Sequence, residues 1–275
     1  MNIKKRLKTI ITALVVAALV AVAFNPVVAF FSRPESAVIV SGSTSVQPYA
    51  EILAHEFEEL HSEDRIDIQG GGSSAGIKAV QSGAADIGMS SRALKEEEQG
   101  LWQIPIAKDG LAIIVHPKNP VNGLTKEQVR DIYSGKITSW SDIEGGKKAK
   151  IHIISREEGS GTRDGFVELV MGKECRINPK AIIQDSNGAI RQLVSNDPNA
   201  IGFISLGLVD DTVKALWLDG VEASQENIIK GDYKLFRTFL LVAKSKPEGV
   251  AGDFIDFVLS EKGQEKLSSA GLIPE

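Results

Sequence analysis

Short apolar runs and longer amphipathic stretches follow one another along this chain, with glycine, serine and threonine at the joins. Ala37-Val38-Ile39-Val40 reads as a buried strand. It runs into Ser41-Gly42-Ser43-Thr44-Ser45, and then into a helix from about Gln47 to Leu60, with Ile52, Leu53, Phe57 and Leu60 assigned to one face. Ile66-Asp67-Ile68-Gln69 is a second strand, followed by Gly70-Gly71-Gly72-Ser73-Ser74-Ala75-Gly76 and a helix through Ile77 and Val80. Ile151, Ile153 and Ile154 form another β-run, which leads through Arg156-Glu157-Glu158-Gly159-Ser160-Gly161-Thr162 into a helix to Met171. A strand, a small polar turn and a helix thus recur in three places.

Between these units lie further apolar runs. Asp86-Ile87-Gly88-Met89 is a short strand ending in Ser90-Ser91-Arg92. Gly110 to His116 is a longer apolar strand stopped by Pro117 and Pro120, and it reads as a crossover from one lobe to a second. Thr125-Lys126-Glu127-Gln128 is a capping box that opens a helix to about Tyr133, and Trp140 and Ile143 are assigned to the core of the second lobe. Ile182-Ile183-Gln184 is followed by Asp185-Ser186-Asn187-Gly188 and a helix through Ile190, Leu193 and Val194. Ile201 to Ser205 is another buried strand. Tyr233 to Val242 reads as the return crossover, and Phe254, Phe257, Val258 and Leu267 line helices that finish the first lobe. The pattern predicts an α/β fold of two lobes, 34–112 with 236–275 and 113–235, joined by two crossover strands around a central cleft.

Composition narrows the class. The chain has 275 residues and a formal net charge of -5. That length holds a large core, and the mild acidity without a basic stripe argues against a nucleic-acid partner. Cys175 is the single cysteine, so no intrachain disulfide forms, and the four scattered histidines suggest no metal site. At the N-terminus Lys4, Lys5, Arg6 and Lys8 precede an apolar run from Ile10 to Phe24. This is the pattern of a signal peptide or an N-terminal membrane anchor over residues 1–33, and it places the rest of the chain outside the cytoplasmic membrane. Ala21-Val22-Ala23 and Val27-Val28-Ala29 are both suitable cleavage sites, while a run continuing to Phe31 is long enough to span a bilayer uncleaved. No cysteine lies there to carry a lipid, so a lipoprotein is not expected.

The candidate chemistry sits at the three turns. A strand-to-helix turn leaves the first N–H groups of the helix unpaired at the positive end of its dipole, which favours an anion. Ser160 and Thr162 add hydroxyl donors, and Arg156 adds a planar charged fork suited to a tetrahedral oxyanion. Neither a G-x-x-x-x-G-K-[ST] loop nor a G-x-G-x-x-G loop opening a helix is present, so a nucleotide site is not indicated. A serine hydrolase or phosphatase using Ser160 lacks the G-x-S-x-G elbow, because Glu158 stands at the first glycine position.

Four stretches together resemble the phosphate-binding receptor of the high-affinity phosphate ABC transporter, the PstS type of type II periplasmic binding protein. They are Gly42-Ser43-Thr44-Ser45, Gly72-Ser73-Ser74-Ala75-Gly76, Asp86-Ile87-Gly88, and Arg156 with Gly159-Ser160-Gly161-Thr162. The similarity runs from about Val38 to the C-terminus. The resemblance implies a non-enzymatic solute-binding protein with no cofactor, expected to be a monomer. It would close its lobes on inorganic phosphate and deliver it to membrane permease subunits. It also implies a phosphate shell of Thr44, Ser45 with its backbone N–H, Ser73, Ser91, Arg156, Ser160, Gly161 and Thr162, with Ser43 and Arg92 as further candidates. Many relatives carry an acidic residue where this chain has Ser91. A carboxylate there accepts the proton of phosphate and repels sulfate, and a serine repels neither, so sulfate or molybdate stays open as an alternative ligand. Arg92 either adds a second cation or pairs with the acidic run Glu96-Glu97-Glu98.

Overall fold

The computed structural model describes residues 37–172 and 174–274; the N-terminal segment read above as a signal or anchor lies outside them. Three strands begin the fold: β1 (Ala37–Gly42), β2 (Arg65–Gly70) and β3 (Ile87–Ser90). Helix α1 (Gln47–Leu60) follows β1, and α2 (Ser73–Ser82) follows β2. A strand of 14 residues, β4 (Trp102–Val115), then leads to the short β5 (Gly123–Leu124) and α3 (Lys126–Ser134). Next come β6 (His152–Arg156), α4 (Gly161–Phe166, continued by a π-turn Val167–Met171), β7 (Ile182–Gln184), α5 (Asn187–Asn196) and β8 (Ala200–Ser205). The short β9 (Lys214–Ala215), β10 (Trp217–Leu218) and α6 (Gln225–Ile229) precede β11 (Phe236–Ala243). Helices α7 (Gly249–Leu259) and α8 (Glu261–Ser269) and strand β12 (Ile273–Pro274) end the chain.

The sheet order is β2-β1-β3-β11-β4-β8-β6-β7. Strands β1 and β3 are parallel, and so are β8, β6 and β7. Between these two parallel sets run β11 and β4, antiparallel to each other. The first part of β4 pairs with β11, from Trp102↔Ala243 to Gly110↔Phe236, and its last part pairs with β8, from Leu111↔Ser205 to Val115↔Ile201. One continuous strand therefore belongs to both lobes. The sequence pattern marks only its second half, from Gly110, because Gln103, Pro105, Lys108 and Asp109 interrupt the apolar run before it. Those positions are tolerated because the strand alternates faces and most of its backbone bonds go to β11.

Each lobe has its own core. Val40, Leu53, Phe57, Met89, Phe239, Phe254, Val258 and Leu267 pack in the first. Tyr133, Trp140, Ile143, Phe166, Phe203 and Tyr233 pack in the second, where the Phe166 and Phe203 rings stack with centroids 4.1 Å apart. The passage from one core to the other lies between Ala107 and Leu111 on β4, and between Leu235 and Phe239 on β11.

The capping box forms as its residues predict: Thr125 Oγ1 accepts from the Gln128 N–H at 3.0 Å, and the Thr125 N–H donates to Gln128 Oε1 at 2.8 Å. The inward face of α1 does not follow the prediction. Ile52 is 43% exposed and Leu60 56%, while Tyr49, Ala50, Leu53, Ala54 and Phe57 face the core. The spacing i, i+4, i+8 from Tyr49 fixes that stripe, and Ile52 and Leu60 fall outside it.

Helix α2 lies hard against the end of β1. A Cβ on Gly76 would stand 2.3 Å from the Ser41 carbonyl oxygen and 2.5 Å from the Gly42 Cα, so only glycine permits this approach. Gly76→Ala is expected to cost about 2 kcal/mol or more, since two backbone segments must move apart. Urea unfolding measures it, and an unchanged midpoint would show that the contact is not limiting.

Candidate anion-binding site

The three polar turns follow β1, β2 and β6, and they meet between the lobes. Helix α2 starts without a side-chain cap at Gly72, and the Ser74 N–H donates to the Gly159 carbonyl of the other lobe at 3.1 Å. Helix α4 is capped by Ser160, whose Oγ accepts from the Arg163 N–H at 3.2 Å. The N–H groups of Gly161 and Thr162, the first two of α4, have no acceptor within the helix. A Cβ on Gly161 would stand 2.3 Å from Ser73 Oγ and 2.6 Å from Ser91 Oγ. Glycine is what lets the start of α4 approach the hydroxyls of the first lobe.

Those hydroxyls form a buried cluster. Ser43, Ser45, Ser73, Ser91 and Thr162 all lie out of solvent. Ser43 Oγ donates to Ser91 Oγ at 2.9 Å and accepts from the Ser45 N–H at 3.2 Å. Ser73 Oγ accepts from the Ser91 N–H at 3.1 Å. Ser45 Oγ lies 2.7 Å from Thr162 Oγ1, which joins the lobes directly. It also accepts from Asn187 Nδ2 at 2.9 Å and from Arg237 Nη2 at 3.0 Å. With both lone pairs engaged, the Ser45 hydroxyl donates its proton to Thr162 Oγ1.

Two guanidinium groups are buried at this place. Arg156, 1% exposed, donates from Nε and Nη2 to the Glu157 carboxylate, both at 2.9 Å, and from Nη2 to the Asp185 carbonyl at 3.0 Å. Its Nη1 is buried and has no partner. Arg237, 8% exposed, donates from Nε and Nη2 to Asp109 Oδ2 at 3.2 and 3.0 Å. Its Nη1 also has no partner. Burial pushes the Asp109 carboxyl up and the Arg237 guanidinium down, and the contacts between the two pull each back. The positive charge of Arg156 lowers Arg237 further. Ser205 Oγ donates to Asp109 Oδ1 at 2.6 Å, and the Ser205 N–H donates to Asn187 Oδ1 at 3.2 Å.

Most of the residues singled out from the sequence are brought together. Ser43, Ser45, Ser73, Ser91, Gly161 and Thr162 share the cluster, and Arg156 presents a free N–H from the second lobe. Thr44 is half-buried, with its Oγ1 3.4 Å from Asn187 Nδ2. The Ser160 hydroxyl serves as the helix cap, and the Ser45 N–H is engaged by Ser43. Arg92 is committed elsewhere. Its Nη1 and Nη2 donate to Glu98 Oε2 and Oε1 at 2.7 and 2.9 Å, Nη2 also donates to Ser74 Oγ at 3.1 Å, and Nε lies 3.0 Å from Asp164 of α4. It clasps the two lobes. Among the described residues, the bonds of the hydroxyl cluster run to other hydroxyls, backbone N–H groups, Asn187 and Arg237, and none runs to a carboxylate. No group of three or more metal-ligating side chains occurs among the described residues.

Residues 31–262 match the model of a PBP superfamily domain. Over 249 residues the chain is 32% identical to the phosphate-binding protein PstS of Bacillus subtilis strain 168, spanning 88% of this chain and 82% of that protein. The chain belongs to the PstS family. Two solved structures are similar throughout. One is a putative phosphate ABC transporter substrate-binding protein with bound phosphate from Clostridium perfringens, 46% identical with a TM-score of 0.84 over 87% of this chain and 99% of that one. The other is an ABC-type phosphate transport receptor from Vibrio cholerae, 39% identical with a TM-score of 0.72 over 87% of this chain and 100% of that one. Members of the PstS family are binding proteins rather than enzymes.

Asparagine 187 and the Asp109–Arg237 pair are absent from the site as read in the sequence. The only local signal for the pair is a charge at the edge of one crossover run, Asp109 just before Gly110, and one inside the other, Arg237. Their meeting depends on the register Arg237↔Asp109 between β11 and β4, which no local pattern reports.

The Arg92–Glu98 clasp carries a pH signature. Burial pushes the Glu98 carboxyl up, but the bonds from Arg92 and from the Lys95 N–H outweigh it and hold the group below the usual glutamate range. Its contribution is therefore present above the unfolded value of about 4.3 and is lost as pH falls through the lowered folded value. Chemical unfolding across this acid range should show wild type losing stability more steeply than Glu98→Gln. Parallel curves would show that the clasp adds no pH-dependent stability.

Proposed function

We propose that this protein captures inorganic phosphate by closing its two lobes, 34–112 with 236–275 and 113–235, and hands it to the permease of an ABC transporter. The observation that carries this reading is the buried Nη1 of Arg156, unpartnered beside helix N-termini and hydroxyls drawn from both lobes. A buried cationic donor without an acceptor is costly, and a tetrahedral oxyanion supplies the acceptors. Each lobe holds only part of the donor set, so the anion gains its full shell only in the closed form, and this differential contact drives closure. Micromolar capture requires roughly 8 kcal/mol, within reach of several charge-assisted hydrogen bonds at about 1.5–3 kcal/mol each. The phosphate relationships of the Bacillus, Clostridium and Vibrio proteins support phosphate as the anion. We place the protein outside the cytoplasmic membrane, as a monomer with residues 1–33 as its signal or anchor. Among the described residues, no helix is long and apolar enough to cross a membrane.

A second reading has one specific observation in its favour. Without a carboxylate on the hydroxyl cluster, nothing there repels a fully ionised tetrahedral anion such as sulfate. Calorimetric titration separates the two readings, using protein stripped of anion by unfolding and refolding. Phosphate is expected to bind, and sulfate in excess is expected not to displace it. Displacement by sulfate would transfer the protein to the second reading. Arg156→Met should weaken phosphate binding by at least about a hundredfold, since a buried cationic donor is lost; normal binding by that variant would remove the site from this cleft.

A further inference from the structure

We propose that Arg237 is a second cation of the anion site, carried on the return crossover strand, and that it tunes the site to a dianion. This rests on the cleft being the phosphate site, and it adds a specificity-determining residue to that reading. Arg237 reaches the cluster through Ser45 Oγ at 3.0 Å, on the side chain that also touches Thr162 of the second lobe. Its Nη1 is buried without a partner, as is that of Arg156. The two cations are close enough for Arg156 to lower the Arg237 guanidinium. Arg237 also lines, with Ser91 of the hydroxyl cluster and Gly165 of α4, a cavity of about 390 Å3.

The uncommitted donors give the specificity. Asp109 on β4 neutralises Arg237 in part, and Glu157 does the same for Arg156. Arg92 also keeps one buried donor, Nε, without a hydrogen-bond partner, but it lies between two carboxylates, Glu98 and Asp164, and its charge is balanced by them. Other charged or titratable groups near Arg237 are Tyr49 of α1, whose hydroxyl burial pushes up and keeps neutral, and Glu168, which lines the same cavity. After these pairings each of the two guanidiniums keeps one buried donor uncommitted, and charge-assisted donors of this kind, with the N-terminus of α4, bind the more negative oxygens of a dianion more strongly than those of a monoanion. Because Ser45 accepts from Arg237 and Asn187, its one proton goes to Thr162 Oγ1 at 2.7 Å, which links the Arg237 guanidinium through Ser45 to the first turn of α4.

The test is phosphate titration of stripped protein, from acid pH, where phosphate is mainly a monoanion, to mildly alkaline pH, where it is mainly a dianion. Removing Arg237 alone strands Asp109, so the main variant is Asp109→Asn with Arg237→Gln, a neutral pair of similar shape. Its fold is checked by anion-free thermal melting, and Arg237→Lys preserves the charge. Wild type and Arg237→Lys are expected to bind more tightly as pH rises. The double variant is expected to bind ten- to a hundredfold more weakly at the alkaline end, the equivalent of one charge-assisted hydrogen bond, and to lose most of the pH dependence. A double variant that keeps wild-type affinity and slope overturns the proposal, and so does one that weakens equally at both ends, which marks a packing role. Wild type that binds sulfate but not phosphate overturns the phosphate reading alone, and the same loss read with sulfate would still support Arg237. No binding of either anion overturns both.

Discussion

Positive charge held out of water governs this structure. Arg156 and Arg237 are both buried between the lobes, each keeps one donor without a partner, and the N-terminus of α4 opens beside them. Such an arrangement is unfavourable until an anion enters, because buried donors lose water and gain nothing in return. The ligand is in this sense part of the fold's electrostatic balance. Counter-charges are close but incomplete: Glu157 and Asp109 each hold one arginine from the side and leave its remaining edge free. The carboxylates thus fix the guanidiniums without satisfying every donor.

The connection between the lobes is built from the same materials. Strands β4 and β11 carry the chain out and back, and Asp109 and Arg237 face each other across them at the place where one hydrophobic core gives way to the other. The pair therefore sits where the backbone belongs to both lobes. Farther along the cleft, Arg92 joins Glu98 of its own lobe to Asp164 at the first turn of α4. Besides the apolar contacts of Ile273 with the second core and Leu208 with the first, the lobes meet through polar contacts at the cleft, which suits an interface that forms and releases as an anion comes and goes.

Ser91 shows how one position changes the chemistry without changing the architecture. It accepts a hydrogen bond from Ser43 and lies between the first lobe's turns and the start of α4. A hydroxyl there both donates and accepts, whereas a carboxylate only accepts when ionised. Selectivity in this chain must then come from the balance of cations and hydroxyls around the anion rather than from one repelling group.

The local signals were strong where local chemistry decides. Alternating periods placed the strands, the turns marked the helix starts, and the capping box at Thr125 and Gln128 formed as its residues require. The residues of the Ser43–Ser45, Ser73 and Arg156–Thr162 turns were legible for the same reason: a glycine-rich turn between a strand and a helix exposes donors whatever the rest of the chain does. Tertiary structure decided the remainder. Ile52 and Leu60 are apolar but fall off the inward stripe of α1, and the first half of β4 is masked by its polar residues until β11 pairs with it. Arg92 had two readings open; it takes the second, pairing with Glu98 of the acidic run, and the fold adds Asp164, 72 residues further along the chain. Asn187, Asp109 and Arg237 entered the site through strand register and lobe apposition. These contacts join residues far apart in sequence, so the sequence by itself determined which groups are present and only the packed fold determined which of them meet.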